Sequence, residues 1–379
     1  MNKNVVIAGY ARSPFQFAKK GDLIKVRPDD LVAAAVKGLV ERSGVNQDDI
    51  EDLILGCAFP EGEQGLNMAR LVVMLAGLPR SVGGTTVNRF CGSSMQAIHM
   101  AAGAIQLGAG DVFVCAGVES MTRVPMMGFN PLPNPALAEA EAGAYMPMGT
   151  TAENLARKYQ ITRKAQEEFA VESHRKAAAA QEAGKLDAEI VPIETSGGQV
   201  DKDGCIRPDT SLEALAELRP AFDEEGTVTA GTSSPLTDGA SATLVASEDY
   251  AKANGLTVMA RLKSVAIAGC DPTIMGIGPV GATRKALKRA GVELSDIDII
   301  ESNEAFAVQT MSVAQELGMD LSKVNLDGGA IALGHPLGAT GARITGKAAA
   351  LLQREGKELA LSTQCIGGGQ GIATILEAA

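Results

Sequence analysis

Short apolar, β-branched runs recur along the chain, with Ala- and Leu-rich amphipathic stretches between them. The runs are Val5-Val6-Ile7, Leu53-Ile54-Leu55, Val112-Phe113-Val114, Val265-Ala266-Ile267, Ile297 to Ile300 and Leu359 to Leu361. Runs apolar at every position, rather than at every second one, suit strands buried on both faces. Strands alternating with helices predict an α/β protein with a mainly parallel sheet covered on both sides.

The pattern also repeats at long range. Leu39-Val40-Glu41-Arg42-Ser43-Gly44-Val45-Asn46-Gln47-Asp48-Asp49-Ile50 resembles Ala286-Leu287-Lys288-Arg289-Ala290-Gly291-Val292-Glu293-Leu294-Ser295-Asp296-Ile297 at an offset of 247 residues. Each copy predicts a helix, a Gly C-cap, a polar turn and then an apolar strand. The same offset lays Asp111-Val112-Phe113-Val114 on Glu358-Leu359-Ala360-Leu361. Two similar α/β halves are expected, roughly 1–120 and 248–379, packed about a pseudo-twofold axis.

Between the halves the periodicity fades. Residues 121–150 hold Met121, Met126, Met127, Met146, Met148 and five prolines, which suits a loop covering a site. A polar helical segment follows from Thr151 to Lys185, with Glu167 and Glu168 expected on a solvated face. Residues 196–240 are turn-rich and end in Thr237-Asp238-Gly239. The division expected is an N-terminal half, 1–120, completed by 196–247; a loop domain, 121–195; and a C-terminal half, 248–379.

Composition narrows the class. The chain has 379 residues, 46% hydrophobic and 21% charged, with 43 Gly and no Trp, so a core of small aliphatic side chains in tight layers is expected. A net charge of −11 argues against a nucleic-acid binder. No apolar run approaches the roughly 18 residues of a membrane span. The opening segment, Met1 to Pro14, has no secretory h-region. Six Cys in so long a chain predict reduced thiols rather than a disulfide framework, and hence a cytoplasmic protein.

Several segments carry candidate chemistry. Gly276-Ile277-Gly278-Pro279-Val280-Gly281 has the dinucleotide spacing GxGxxG, and Glu301 follows. Yet Cys270 to Met275 separate it from the nearest strand, where that motif needs a tight turn. The equivalent stretch of the first half, near Asp29 to Ala34, has no glycine, so this helix is assigned to the scaffold. Cys91 stands in Asn88-Arg89-Phe90-Cys91-Gly92-Ser93-Ser94, just before an Ala-rich helix. A helix N-terminus favours thiolate there, and the small residues after it let a substrate approach. Of the three His, His99 and His174 fall on helices and suit structural or solvated roles. His335 stands between Gly334 and Pro336 in a turn before a helix. The repeat sets Cys91 opposite Gly338, so a pseudo-twofold would bring the two helix starts, and a Cys–His pair, together. Ser362-Thr363-Gln364-Cys365-Ile366-Gly367-Gly368-Gly369 ends a strand in a Gly-rich turn whose N–H groups suit an oxyanion. Cys57, Cys115 and Cys270 are expected in the core and Cys205 in a polar loop, and no spacing suggests a metal site.

These motifs together resemble the thiolase family. Asn88 to Ser94 looks like its nucleophile motif, Gly334-His335-Pro336 its histidine motif and Cys365 to Gly369 its second-cysteine motif, and Asn303-Glu304-Ala305-Phe306-Ala307 matches a fourth. The resemblance runs nearly end to end, through Arg12-Ser13-Pro14 and Arg219-Pro220-Ala221-Phe222. It implies a layered αβαβα fold of two similar halves plus a loop domain. It also implies roles: Cys91 as acyl-accepting nucleophile, His335 as its base, and Cys365 as acid/base for the acetyl carbon. Asn303 would hold a water for the enolate oxygen, and the N–H groups of Cys91 and Gly367 would form a second oxyanion hole. Coenzyme A would be a substrate, with no bound cofactor. Ser234 would lie near the pantetheine arm, Arg207 near the nucleotide, and Met148, Phe222, Met275 and Phe306 along the tunnel.

Short-chain biosynthetic members carry His-Met-Gly where this chain has Pro147-Met148-Gly149, so the resemblance leans to degradative 3-ketoacyl-CoA thiolases of fatty acid β-oxidation. The segment Thr195 to Arg207 looks shorter than in several members. Homodimers or homotetramers are implied, and association with a multifunctional β-oxidation subunit is allowed. The alternatives are an acetoacetyl-CoA thiolase condensing two acetyl-CoA, and a non-catalytic acyl-CoA or lipid-binding protein on the same scaffold. A ketoacyl-synthase-like enzyme fits less well, because it pairs its cysteine with two histidines and the matching turn here supplies Cys365.

Overall fold

The structure is a computed structural model and describes residues 3–379. Its strands are β1 Val5–Arg12, β2 Gln16–Phe17, β3 Asp52–Gly56, β4 Gly83–Val87, β5 Val112–Ser120, β6 Ile193–Thr195, β7 Gly198–Val200, β8 Thr237–Ser247, β9 Ala260–Gly269, β10 Ile299–Ser302, β11 Leu359–Ile366 and β12 Gln370–Glu377. The helices are α1 Pro28–Ser43, α2 Met68–Leu75, α3 Ser93–Leu107, α4 Pro135–Ala140, α5 Met148–Tyr159, α6 Arg163–Glu182, α7 Leu212–Ala216, α8 Glu248–Ala253, α9 Gly278–Ala290, α10 Ala307–Leu317, α11 Ala330–Leu333 and α12 Leu337–Glu355.

The long-range repeat is structural. The first half orders its strands β1-β8-β5-β3-β4, the second β9-β12-β11-β10, and β1 meets β9 through Val6 and Ile7. Helices α1 and α9 both end in a left-handed glycine, Gly44 at φ 68° and Gly291 at φ 69°. Side-chain alternation along each sheet then builds five layers. Val112, Val114 and Ala116 point outward to α1 and α2, whereas Phe113 and Cys115 point inward to α3 and α12. On the second half Leu361, Ala373 and Ile375 face α9 and α10. The order is therefore α, β, α, β, α, with α3 and α12 in the central layer.

Small residues make that central layer possible. A Cβ on Gly341 of α12 would lie 2.3 Å from the Met95 backbone N of α3, and one on Gly117 would lie 2.1 Å from Gly338 O. The GxGxxG segment serves the same end. A Cβ on Gly278 would lie 2.1 Å from Gln370 O, so its glycines let α9 press on β12, as the scaffold assignment expected.

Three expectations are corrected. The sheet is mixed rather than mainly parallel: β3 pairs parallel with β4 and β5, and β10 with β11, but β8, β9 and β12 pair antiparallel. The turn-like Thr237-Asp238-Gly239 opens β8, a strand buried along its whole length, because Gly, Ala and Ser are what fit between two close layers. The polar helical segment is two helices, broken at Gln160 with φ 53°, and Glu167 is buried with Arg163 Nε 2.7 Å away, while Glu168 stays exposed.

Candidate active site

Cys91 is placed by a tight turn from β4 into α3. The Asn88 side chain bridges this turn: its Nδ2 donates to Ala58 O (2.9 Å) and its Oδ1 accepts from Phe90 N–H (2.8 Å). Phe90 is held at φ 44°, a conformation non-glycine residues adopt at a cost. Ser93 Oγ closes the turn by donating to Phe90 O at 2.6 Å. The thiol meets the N–H groups of Gly367 and of Cys91 itself, both of which favour thiolate. Burial outweighs them and pushes the thiol up to about 12. The resting group is a neutral thiol, contrary to the expectation from the helix start alone, so ionisation must wait for a base.

His335 lines the same cavity as Cys91. Gly334 takes φ 105°, which only glycine adopts readily, and Thr237 Oγ1 accepts from His335 N–H at 3.0 Å. The ring is held at both nitrogens: Nδ1 lies 2.6 Å from Thr340 Oγ1, and Nε2 lies 3.4 Å from Asn303 Nδ2. The Thr340 hydroxyl itself donates to Pro336 O at 3.3 Å, so its oxygen accepts the Nδ1 proton and Nε2 is the unprotonated nitrogen, its lone pair accepting from Asn303 Nδ2. Burial, and then the charge of Arg343, lower this histidine to about 3, so the ring is neutral.

Cys365 ends β11 beside them. It is fully buried, and burial first, then proximity to Cys91, raises its thiol well above the ordinary value. Gln364 Nε2 donates to Cys91 O, tying this strand end to the turn that carries Cys91. The following turn needs left-handed glycines at Gly368 (φ 78°) and Gly369 (φ 83°), which leaves Gly367 N–H free to face Cys91. Asn303 follows β10, with its N–H donating to Thr363 O at 3.0 Å. The two helix starts do face each other: Ala342 N–H donates to Ser94 Oγ at 2.8 Å.

Some residues of the site carry no motif. Glu119, on β5, is 1% exposed, and its carboxylate accepts from Ala58 N–H (2.8 Å), Phe59 N–H (3.2 Å), Gln64 Nε2 (2.8 Å) and Gly338 N–H (3.0 Å). It thus pins the loop after β3 to the start of α12. The signal for it was a lone carboxylate inside the otherwise apolar run Val112 to Ser120. Thr340 and Gln364 gave no comparable sign.

A cavity of about 410 Å³ joins Cys91, His335 and Cys365. Met148, Phe222, Ser234, Met275 and Phe306 line it, together with Met121, Met126, Met127 and Met146 of the covering segment. Phe222 meets Phe306 edge-on with ring centroids 5.8 Å apart, and Ser234 Oγ donates to Ala305 O at 3.0 Å. A second cavity of about 240 Å³, lined by Phe59, Phe90, Gly367 and Gly368, adjoins the first and shares Cys91, Met146 and Met148 with it. Arg207 does not reach either cavity; its guanidinium lies 5.0 Å from the Phe17 ring.

The remaining candidates are structural. His99 bonds Thr374 Oγ1 at 2.8 Å, and His174 is buried rather than solvated, its Nδ1 accepting from Arg207 N–H at 3.1 Å. Cys205 is also buried, despite its polar neighbours. Among the described residues no group of three His, Cys, Asp or Glu is placed to hold a metal, and no helix is long and apolar enough to cross a membrane.

The chain is similar to known proteins over nearly its whole length. Residues 5–249 match the family model "Thiolase, N-terminal domain" and residues 256–378 match "Thiolase, C-terminal domain". A 3-ketoacyl-CoA thiolase of Marinomonas sp. (strain MWYL1) is 52% identical over 388 aligned positions, covering 100% of this chain and 99% of the relative. One of Bacillus subtilis (strain 168) is 48% identical over 388, covering 99% of each. The crystal structure of human mitochondrial 3-ketoacyl-CoA thiolase in complex with CoA superposes with a TM-score of 0.92 at 38% identity, covering 100% of this chain and 98% of that one. That of the Bacillus anthracis acetyl-CoA acetyltransferase also superposes at 0.92, with 40% identity and 100% coverage of both.

Proposed function

The chain belongs to the thiolase family, and from that premise we propose that it is a 3-ketoacyl-CoA thiolase, an acetyl-CoA C-acyltransferase that cleaves its substrate with coenzyme A. The observation that carries the reading is the meeting of Cys91, His335 and Cys365, from three separated segments, around one apolar cavity, with Asn303 held against His335.

In this reading His335 Nε2 takes the Cys91 proton as sulfur attacks the 3-keto carbon. The N–H groups of Cys91 and Gly367 hold the resulting oxyanion. The C2–C3 bond then breaks, leaving an acyl group on Cys91 and the enolate of acetyl-CoA. Protonated His335, with Asn303 and the water it holds, stabilises the enolate oxygen, and Cys365 protonates its carbon. Coenzyme A gives its proton to the Cys365 thiolate and attacks the thioester. The departing Cys91 sulfur recovers the proton from His335, and the shortened acyl-CoA leaves. No metal or redox cofactor enters these steps. Ser234 would lie near the pantetheine arm, Met148, Phe222, Met275 and Phe306 would line the tunnel, and Arg207, outside the cavity, would lie near the nucleotide.

In the same reading residues 121–195 form the loop domain over the site, between the half 1–120, completed by 196–247, and the half 248–379. A cytoplasmic location accords with six free cysteines. The acetoacetyl-CoA reading draws on the similarity to the Bacillus anthracis acetyltransferase. A kinetic profile over 3-ketoacyl-CoA substrates of increasing chain length, run in both directions, separates them. We expect cleavage that extends beyond the four-carbon substrate. Activity confined to acetoacetyl-CoA would favour the alternative, and no turnover with any substrate would favour a binding protein.

We also propose at least a homodimer. Strand β4 is an edge strand, paired by β3 on one side and capped on the other by the Asn67 side chain at Gly84 O and Thr86 N–H, so this edge suits cover by a second copy. Light scattering at micromolar concentration should give twice the chain mass of 39.1 kDa or more, and a monomeric mass counts against the proposal.

A further inference from the structure

Strand β10 and helix α12 carry two cross-links side by side. The outer one is the catalytic contact Asn303–His335–Thr340. The inner one is an ion pair between Glu301 Oε2 and Arg343 Nη1 at 2.9 Å. Glu301 stands two residues before Asn303, on the same side of an extended backbone. Arg343 stands three residues after Thr340, on the same face of the helix. A third link follows one turn on, where Lys347 Nζ meets Glu189 at 3.0 Å and Asp327 at 2.7 Å.

Both partners of the inner pair are buried, Glu301 completely and Arg343 to 1% exposure. The pair is poorly satisfied: Glu301 Oε1, Arg343 Nε and Arg343 Nη2 have no hydrogen-bond partner among the described residues. Burying two charges and leaving three polar atoms unpaired is a poor way to gain stability, since a well-packed apolar pair of similar volume usually does as well or better. What the pair does supply is a directional tie between the strand that presents Asn303 and the helix that presents Thr340.

We infer that the Glu301–Arg343 ion pair is a positioning element of the active site, setting the distance and orientation of Asn303 and Thr340 on the two sides of His335. The inference rests on the thiolase reading given above. Arg343 also acts through its charge. The Cys91 and Cys365 thiols share the cavity of the ring, Arg343 on α12 is the charged group that acts on it, and Glu301 on β10 faces Arg343. Beside burial, it is Arg343 that disfavours the imidazolium, so it keeps His335 a neutral acceptor until the Cys91 proton arrives.

The test compares Arg343→Met, Arg343→Lys and the wild-type enzyme in 3-ketoacyl-CoA cleavage as a function of pH. Arg343→Met should lower kcat by about 10- to 100-fold, the order expected of a small misplacement of reacting groups. It should also move the acid limb of kcat/KM to higher pH, because a histidine relieved of a neighbouring cation titrates higher. Arg343→Lys keeps the charge, so the limb should stay and kcat recover in part. Should Arg343→Met fail to fold, the double variant Glu301→Leu/Arg343→Met, which leaves no unpaired charge, is measured in the same way with the same expectation. A folded variant without the pair that keeps wild-type kcat and pH profile overturns the inference, whereas an inactive wild-type enzyme overturns the thiolase reading beneath it.

Discussion

Cys91→Ala is expected to abolish acyl-enzyme formation and turnover together, while Cys365→Ala loses only the carbon–carbon chemistry. The two thiols face one cavity and are both held neutral by burial, so titration alone does not tell them apart. Their surroundings do. Cys91 has the Gly367 N–H and its own N–H directed at its sulfur and opens α3, whereas Cys365 ends a buried strand. Cys365→Ala keeps the nucleophile, His335 and both oxyanion donors. It should still accept an acyl group from a simple acyl-CoA, a reaction that makes no carbanion. It should then be slow in cleavage, where the acetyl enolate must be protonated, and in condensation, where acetyl-CoA must lose a proton. The loss of one positioned acid/base corresponds to roughly 10²–10⁴ in rate. Mass spectrometry after incubation with acyl-CoA should place the adduct on Cys91. An adduct on Cys365, or a Cys365→Ala enzyme as dead in simple acyl transfer as Cys91→Ala, would show that the proposed division of labour is wrong.

The second large effect is expected at Glu119, away from the substrate. Glu119→Gln keeps size and shape, yet no orientation of an amide satisfies the site. Oε2 accepts from Ala58 and Gly338 N–H, and Oε1 from Phe59 N–H and Gln64 Nε2. Whichever oxygen becomes an NH2 group therefore faces two donors. Each buried donor left unpaired costs about 1–3 kcal/mol, so a loss of about 3 kcal/mol or more is expected, read as a lower urea midpoint. Activity should fall too, by about 10- to 100-fold, because Gly338 lies three residues from His335 and its N–H is held by this same side chain. An unchanged midpoint would mean that the amide is accommodated and that Glu119 is not the clamp described here.

Much of the site was legible in the sequence because its backbone is unusual. A left-handed residue before His335, and two more after Cys365, demand glycine at Gly334, Gly368 and Gly369, and so leave short, recognisable strings. The repeat was legible for a similar reason, since both helices end in left-handed glycines at Gly44 and Gly291. The residues that hold these strings in place were not. Glu119, Thr340, Glu301 and Arg343 take ordinary conformations, and all but Thr340 have partners far along the chain.

The sequence by itself therefore determined the alternation of strands and helices, the doubling of the chain, and which candidate groups line the cavity. These depend on local backbone preference and on periodicity, which a few consecutive residues express. Only the tertiary structure decided what those groups are chemically. A helix start pulls Cys91 toward thiolate, but the layers packed around it push the thiol up to about 12. His335 falls to about 3 instead of holding a proton near neutrality. Glycine, alanine and serine in Thr237–Ser247, turn-like in isolation, form a fully buried strand. In each case the deciding quantity is burial, the sum of contacts from segments hundreds of residues apart, and no local stretch of sequence records it.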